Sequence, residues 1–397
     1  MSKNKKVVLA FSGGLDTTYC VKHLTDDLGL EVYSAIVNTG GFSKAELDDI
    51  EKKALELGVV KHITLDETEN YYSNCLKYLI AGNILKNNTY PLSVSAERVF
   101  QAIAIGNYAT EIGAGHIAHG STGAGNDQVR FDMTFHILCP EVKIITPIRD
   151  NKLSREAEIE YLKAKGVVRD WKKTEYSINK GIWGTSVGGK ETLTSHGYLP
   201  ESAFPTQVSK TTPEELVIDF EKGEPVGVNG EKLTPTQAIQ KIEAIAAPFG
   251  IGRDIHVGDT IIGIKGRVGF EAAAPLVIIK AHHSLEKHTL TYRQINLKDQ
   301  MAQSYGNGVH EGQFLEPMMR DLETFFNSTQ QKVTGKVRVQ LAPYRFYIIG
   351  IESPHDLMSA KFGCYGEMNN TWSGDDVKGF SKIFGNQSSI YRKVNEL

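Results

Sequence analysis

The chain has 397 residues, 41% of them hydrophobic and 23% charged, with a net charge of −3, a composition that suits a soluble globular protein of two or three domains. That charge excludes a broad basic field for long nucleic acid, and no stretch approaches the ~20 apolar residues of a membrane span. Cys20, Cys75, Cys139 and Cys364 form no Cys-x-x-Cys pair and are too few for a disulfide scaffold. The expectation is a cytoplasmic protein with reduced thiols and small-molecule substrates, and with neither nucleic-acid nor membrane partners.

In chain order, residues 7–11 read as a buried strand, 19–28 as a helix, and 31–37 as a second strand rich in β-branched and aromatic residues. Residues 43–57 read as a helix: Ser43 is placed to cap it, Glu46 completes a capping box, and Gly58 stands at the stop. A third strand at 61–65, helices around 69–85 and 95–112, a fourth strand at 116–119 and a fifth at 142–147 continue the alternation. A helix at 154–165 leaves it. This alternation predicts an α/β fold, a parallel sheet covered on both faces. Ligands bind such sheets beyond the carboxyl ends of the strands, where Ser12, Asn38 and Gly120 fall. Residues 171–212, rich in Gly, Ser, Thr and Lys, predict a long ordered loop lining a site. Strands at 216–220 and 225–228 follow, the latter closed by Asn229-Gly230. Beyond them come a helix at 236–247, a strand at 260–264 and a helix or strand from 276. A hairpin of 332–341 with 345–352 and a basic, partly helical segment at 380–397 complete the pattern.

The stretch AFSGGLDTT, residues 10–18, joins the first strand to the first helix. It is neither G-x-x-x-x-G-K-[ST] nor G-x-G-x-x-G. Gly13 and Gly14 let backbone amides turn toward a ligand, and with the hydroxyls of Ser12, Thr17 and Thr18 they form an anion-binding nest at a helix N-terminus. Asp16 at that terminus suits a phosphate that arrives with Mg²⁺, or a helix cap. A second glycine-rich loop, HGSTGAGNDQVRFD at 119–132, presents Thr122, Asn126, Asp127 and Arg130 within nine residues. Arg130 can grip a carboxylate bidentately, Asp127 can take an ammonium, and Asn126 can donate and accept, a set that suits an amino-acid zwitterion.

The first loop resembles the pyrophosphate loop of the N-type ATP pyrophosphatases. The second closely resembles the signature G-[AS]-T-G-K-G-N-D-Q-V-R-F-[ED] of the argininosuccinate synthase family. Tyr90 and Ser95 fit that family's Tyr-x-x-x-x-Ser pair, with Arg98 following, and Ser177 and Ser186 fit its serine spacing. IGIKGR, at 262–267, resembles its I-G-[MI]-K-[SG]-R segment. The resemblance covers most of the chain. It implies an adenine nucleotide alpha hydrolase-like domain over 1–168, an α+β synthetase and multimerisation domain over 169–365, and a C-terminal helical oligomerisation segment over 366–397 of a homotetramer.

The activity it implies is ATP-dependent ligation of citrulline and aspartate to argininosuccinate through a citrullyl-adenylate, releasing AMP and pyrophosphate, in arginine biosynthesis. ATP and Mg²⁺ are the implied cofactors; the metal travels with ATP and needs no protein ligand set of its own. Carried over by motif, Ala10, Phe11, Ser12, Gly13, Gly14, Leu15, Asp16, Thr17, Thr18, Val37 and Gly120 hold ATP. Thr122, Asn126 and Asp127 hold aspartate, and Tyr90, Ser95, Asn126, Arg130, Ser177 and Ser186 hold citrulline.

The chain departs from the family at several points. Ala124 replaces a usual lysine, and a Ser-x-Asp-Glu-Asn segment reads Ser177-Ile178-Asn179-Lys180-Gly181. Gly258 stands for a glutamate and Phe270 for a tyrosine, both of which contact the amino-acid end of citrulline in the family. An alternative substrate is therefore Nα-acetyl- or succinyl-citrulline, with Lys180, Gly258 and Phe270 as contacts for the acyl group. A more distant alternative, a tRNA-modifying pyrophosphatase, lacks the reactive cysteines such a thiolase needs. A glutamine-fed amidotransferase lacks the nucleophilic cysteine near the chain start.

Overall fold

The computed structural model describes residues 4–167, 169, 171, 176–367 and 371–397. Strands β1 (Lys6–Ala10), β2 (Glu31–Asn38), β3 (Lys61–Asp66), β4 (His116–Ala118) and β5 (Lys143–Ile145) form one parallel sheet in the order β3-β2-β1-β4-β5. Helices α1 (Leu15–Lys22), α2 (Lys44–Glu56), α3 (Ser93–Glu111), α4 (Asp127–Leu138) and α5 (Arg155–Ala164) cover it. The period of two along β1 sends Val7 and Leu9 into one core, with Leu15, Ile50 and Leu162, and Val8 into another, with Ile105 and Phe135. Successive strands run outward from β1 in both directions, so the order reverses between β1 and β4 and leaves a crevice at their carboxyl ends.

The second half is antiparallel. Its strands are β6 (Ser177–Gly181), β7 (Gly184–Gly188), β8 (Glu214–Glu221), β9 (Glu224–Val228), β10 (Glu231–Lys232), β11 (Arg253–Asp259), β12 (Lys265–Glu271), β13 (Gly335–Ala342) and β14 (Arg345–Glu352). They form two sheets, β11-β12-β7-β6 and β10-β9-β8-β13-β14. Helices α6 (Pro235–Ala246), α7 (Ala273–Thr289), α8 (Tyr292–Glu311) and α9 (Pro317–Thr329) contribute to the large core beside them. The chain ends in α10 (Gly374–Phe384) and α11 (Asn386–Val394), neither with a buried residue.

The expected α/β architecture is present: the five-stranded parallel sheet, then antiparallel sheets with helices. The capping box of α2 is formed, with Ser43 N donating to Glu46 Oε2 at 2.7 Å. Four local expectations are corrected. The first helix begins at Leu15, not 19, because Gly14 serves as its N-cap. The segment 171–212 is not one long loop: among its described residues it holds the β6–β7 hairpin and short 3₁₀ turns at Lys190–Leu193 and Glu201–Ala203. Pairing across β6 and β7 supplies order that single-strand periodicity did not reveal. Residues 260–264 are not a strand but the turn between β11 and β12, closed by Thr260 N donating to Ile264 O at 2.8 Å. Finally, α8 and α9 occupy a stretch for which the sequence pattern predicts no element.

The two halves are locked together near the crevice. Trp183, between β6 and β7, is buried and donates Nε1 to Pro91 O at 2.9 Å. A Cβ on Gly41, just past β2, would run into the Lys180 carbonyl, so the hairpin lies directly on the parallel-sheet half. Replacing Trp183 with Ala should lower stability by about 3–5 kcal/mol through cavity formation. Leu193→Ala, at a residue 84% exposed, should change it by less than about 0.5 kcal/mol. Urea unfolding followed by circular dichroism compares the two, and equal midpoints would show that the lock is not there.

Candidate functional site

Beyond β1 the chain turns through Ser12, Gly13 and Gly14 into α1. Gly13 has φ +78°, a conformation a side chain would strain. The first bond of the helix is Thr18 N to Gly14 O at 3.0 Å, and no side chain caps the end. The amides of Leu15, Asp16 and Thr17 therefore point out of the helix end without intrahelical partners. Ser12 Oγ is exposed and lies 3.4 Å from Thr17 Oγ1. Thr18, by contrast, is fully buried, with its hydroxyl unpartnered in the core rather than facing the nest. Val37 and Phe11 are buried behind the loop, and Phe11 N donates to Ala35 O at 2.9 Å.

The second loop packs against the first. A Cβ on Gly120 would lie 3.2 Å from Asp16 Cβ and 3.3 Å from Thr17 Cγ2, so only glycine lets the two loops touch without displacing either. His119 behind it is fixed by Asp132, whose other oxygen takes Arg149 Nη1 at 2.6 Å. Thr122 is exposed near the loop tip. Asn126 Oδ1 accepts Ile261 N at 2.8 Å and so ties this loop to the β11–β12 turn.

Asp127 opens α4 between two guanidinium groups. Arg98 Nε donates to Oδ2 at 3.0 Å and Arg130 Nη1 to Oδ1 at 3.1 Å. Burial pushes the carboxyl up, but Arg98 and Arg130 outweigh it and hold Asp127 below the ordinary carboxylate value. Arg98 also reaches Asn179 Oδ1 at 2.9 Å on β6 and Gln101 Oε1 at 2.9 Å. Arg130 is buried and reaches Ser95 Oγ at 3.1 Å and His310 O at 2.7 Å. Tyr90 accepts from Ser93 Oγ and Val94 N, each at 3.1 Å, at the start of α3. Its ring stacks on His256 at 5.2 Å and packs against Phe270 at 5.4 Å.

Strand register sorts the remaining residues. Ser177, Asn179 and Gly181 pair with Gly188, Ser186 and Gly184, and Phe270 pairs with both Ser186 and Asp254. Directly paired residues share a face, so Ser177, Asn179, Ser186, Phe270, His256 and Gly258 lie on one face, toward Tyr90 and Arg98. Lys180 pairs with Thr185 and falls on the opposite face, toward Glu46 and Glu243. The structure thus separates Lys180 from Gly258 and Phe270. Arg98 in its bridging role, Glu97, which accepts Arg98 Nη1 at 3.4 Å and Gln101 Nε2 at 2.7 Å, His256 and His310 are candidate site residues that the sequence reading does not include. Only Arg98 had a signal, its place just after the Tyr-x-x-x-x-Ser pair.

An open crevice at a strand reversal, a bare helix end fit for phosphate, and an arginine-clamped carboxylate beside it define a HUP-type nucleotide-using enzyme. The family model described as "Arginosuccinate synthase N-terminal HUP domain" matches residues 6–168, and "Arginosuccinate synthase C-terminal domain" matches residues 176–391. The chain is 37% identical to argininosuccinate synthase of Methanocaldococcus jannaschii over 97% of both chains. It is 36% identical to that of Dictyoglomus thermophilum over 98% of both. Against the argininosuccinate synthase of Pyrococcus furiosus the identity is 38%, over 97% of this chain and 94% of the other. The chain belongs to the argininosuccinate synthase family, whose members are ligases that use ATP.

Near the first turn of α1, Glu158 on α5 is buried at 3% exposure. Burial first, and then the neighbouring Asp16 carboxylate, push it to about 8, against an ordinary 4.5. A carboxyl raised in the folded state stabilises fully below its unfolded value and loses that contribution as pH rises through the folded one. Glu158→Gln, which mimics the protonated form, should therefore gain in melting temperature relative to the parent between pH 5 and 8. Parallel melting curves across that range would refute the buried protonated carboxyl.

Proposed function

We propose that the chain ligates citrulline and aspartate to argininosuccinate, with ATP cleaved to AMP and pyrophosphate through a citrullyl-adenylate. The observation that carries this is the contact of the two loops at Gly120. It brings the start of the loop that leads into Asp127 and Arg130 against the first turn of α1, which supports a reading in which a phosphate at the first loop and an amino acid at the second are neighbours. Two further observations support it: the family membership and the shared face of Ser177, Ser186 and Tyr90.

A ureido oxygen is a poor nucleophile and a poor leaving group as water, so catalysis here rests on alignment and charge stabilisation. The ureido oxygen attacks the α-phosphorus and the bond to the β-phosphate breaks. The departing pyrophosphate is stabilised by the amides of Leu15, Asp16 and Thr17 and by Ser12 Oγ. Arg130 with Ser95 holds the carboxylate of the ureido amino acid, while Thr122, Asn126 and Asp127 orient aspartate. The aspartate amine then attacks the ureido carbon, a proton leaves the nitrogen, and AMP departs with the former ureido oxygen. Mg²⁺ arriving with ATP would screen the phosphate charge, and Asp16 in the first turn of α1 is the carboxylate that would face it.

The same reading assigns residues 1–168 to the nucleotide domain, 169–365 to the synthetase domain and 366–397 to an arm for oligomerisation in the cytoplasm. Phe380, Ile383 and Phe384 are 62%, 78% and 80% exposed on α10, so they need a second copy to cover them. A homotetramer supplies that copy. No helix among the described residues is long and apolar enough to cross a membrane.

With MgATP, aspartate and citrulline or its acyl derivatives, ³¹P NMR should show AMP and pyrophosphate forming in step. ADP with orthophosphate would end this reading.

A further inference from the structure

The amino-acid end of the ureido substrate is set by residues the reaction itself does not use. On the reading above, Arg130 and Ser95 hold its carboxylate. Its α-nitrogen is two bonds from the carboxylate carbon, so the group that receives it lies beside Ser95, Tyr90 and Arg130.

Apart from Asp127, which Arg98 and Arg130 already hold, the side chains described there are neutral or cationic. Lys86 is bonded backbone to backbone with Tyr90, its N donating to Tyr90 O at 2.7 Å across the turn at Asn87-Asn88. The Lys86 ammonium donates to Asn307 Oδ1 at 2.7 Å. His256, stacked on Tyr90, is 94% buried (6% exposed), and its Nδ1 has no hydrogen-bond partner. Burial and the Lys86 charge both hold this imidazole below its ordinary value, so it faces the site uncharged. His310, beside Ser95, is pushed down to about 4, by burial and then by Arg130. A Cβ on Gly258 would run into His256 Nε2, so the position that could have carried an acid is filled by the imidazole.

The nearby carboxylates are otherwise engaged or turned outward. Asp127 is held by two arginines, and the buried Glu97 accepts from Arg98 Nη1 and Gln101 Nε2. Asp259 accepts Lys265 Nζ at 2.7 Å at the exposed end of the hairpin. Asp254 and Glu311 are exposed at the outer rims. A cavity of about 330 Å³, lined by Lys86, Asn87, Met133, Ile261 and His310 and, with Asp259 and Glu311, by two carboxylates, opens next to this end.

We propose that the ureido amino acid binds with its α-nitrogen acylated, as an Nα-acylcitrulline whose amide faces His256 and whose acyl group enters the cavity beside Lys86 and His310. This rests on the ligase reading of the same site and narrows its substrate class. A free ammonium here would sit near Lys86 without a carboxylate partner, an arrangement disfavoured in a desolvated site. An amide removes that charge, and its N–H and C=O give the unpartnered imidazole a hydrogen-bonding group. Lys180, on the far face of the sheet, takes no part.

The test is kcat/KM for citrulline, N-acetylcitrulline and N-succinylcitrulline side by side, with MgATP and aspartate, read as pyrophosphate release. At least one acyl form should exceed citrulline by about tenfold or more. Citrulline equal or superior to both would overturn the inference and leave the ligase reading standing. No pyrophosphate from any of the three would instead sink the ligase reading. Lys86→Glu replaces the positive charge that acts on His256 and His310 with a carboxylate and should lower the ratio of acyl to free substrate by about tenfold or more. An unchanged ratio would contradict the role given to this corner of the site.

Discussion

The site depends on one carboxylate held between two guanidinium groups. Asp127 stands at the first turn of α4, where the helix end favours negative charge, and Arg98 and Arg130 reach it from opposite sides. Arg98 comes from α3 and continues to Asn179 on β6; Arg130 comes from α4 and continues to Ser95 and the carbonyl of His310 on α8. One partly buried charge cluster thus joins four elements from both halves of the chain. Truncating any member leaves the others short of a partner where water cannot fully replace it. That makes the cluster a constraint on geometry more than a source of net stability.

Local chemistry made part of this legible in the sequence. Ser43 and Glu46 form their capping box because both partners lie within one helical turn. The two loops are readable because phosphate binding at a helix end needs small residues in sequence, and Gly13, Gly14 and Gly120 supply them. The parallel sheet follows from alternating apolar runs. What could not be read depends on pairing between distant segments. Ser177 and Ser186 share a face only because β6 and β7 pair Ser177 with Gly188 and Asn179 with Ser186. The same parity carries Lys180 away, an outcome that spacing along the chain does not reveal. His310 arrives from a helix some 180 residues after Arg130, through an interaction with no local sequence signature.

Register also gives the departures from the family their meaning. Gly258 and Phe270 are both on the face toward Tyr90, and His256 fills the space that Gly258 leaves. These two departures therefore fall together beside Tyr90, whereas Ala124 lies in the second loop and Lys180 on the opposite face of the sheet. A chain that had lost its chemistry would have no reason to preserve the contact of Gly120 with Asp16 and Thr17.

The account stands on Asp127 and Arg98 acting as a unit to place the second substrate. The most direct test is a double-mutant cycle of Arg98→Met and Asp127→Asn, read in kcat/KM for aspartate. The account predicts that each single change weakens aspartate use and that the double variant falls short of the summed losses by about 1 kcal/mol or more. Strictly additive losses would mean that the two residues act independently and that the clamp does not organise the site.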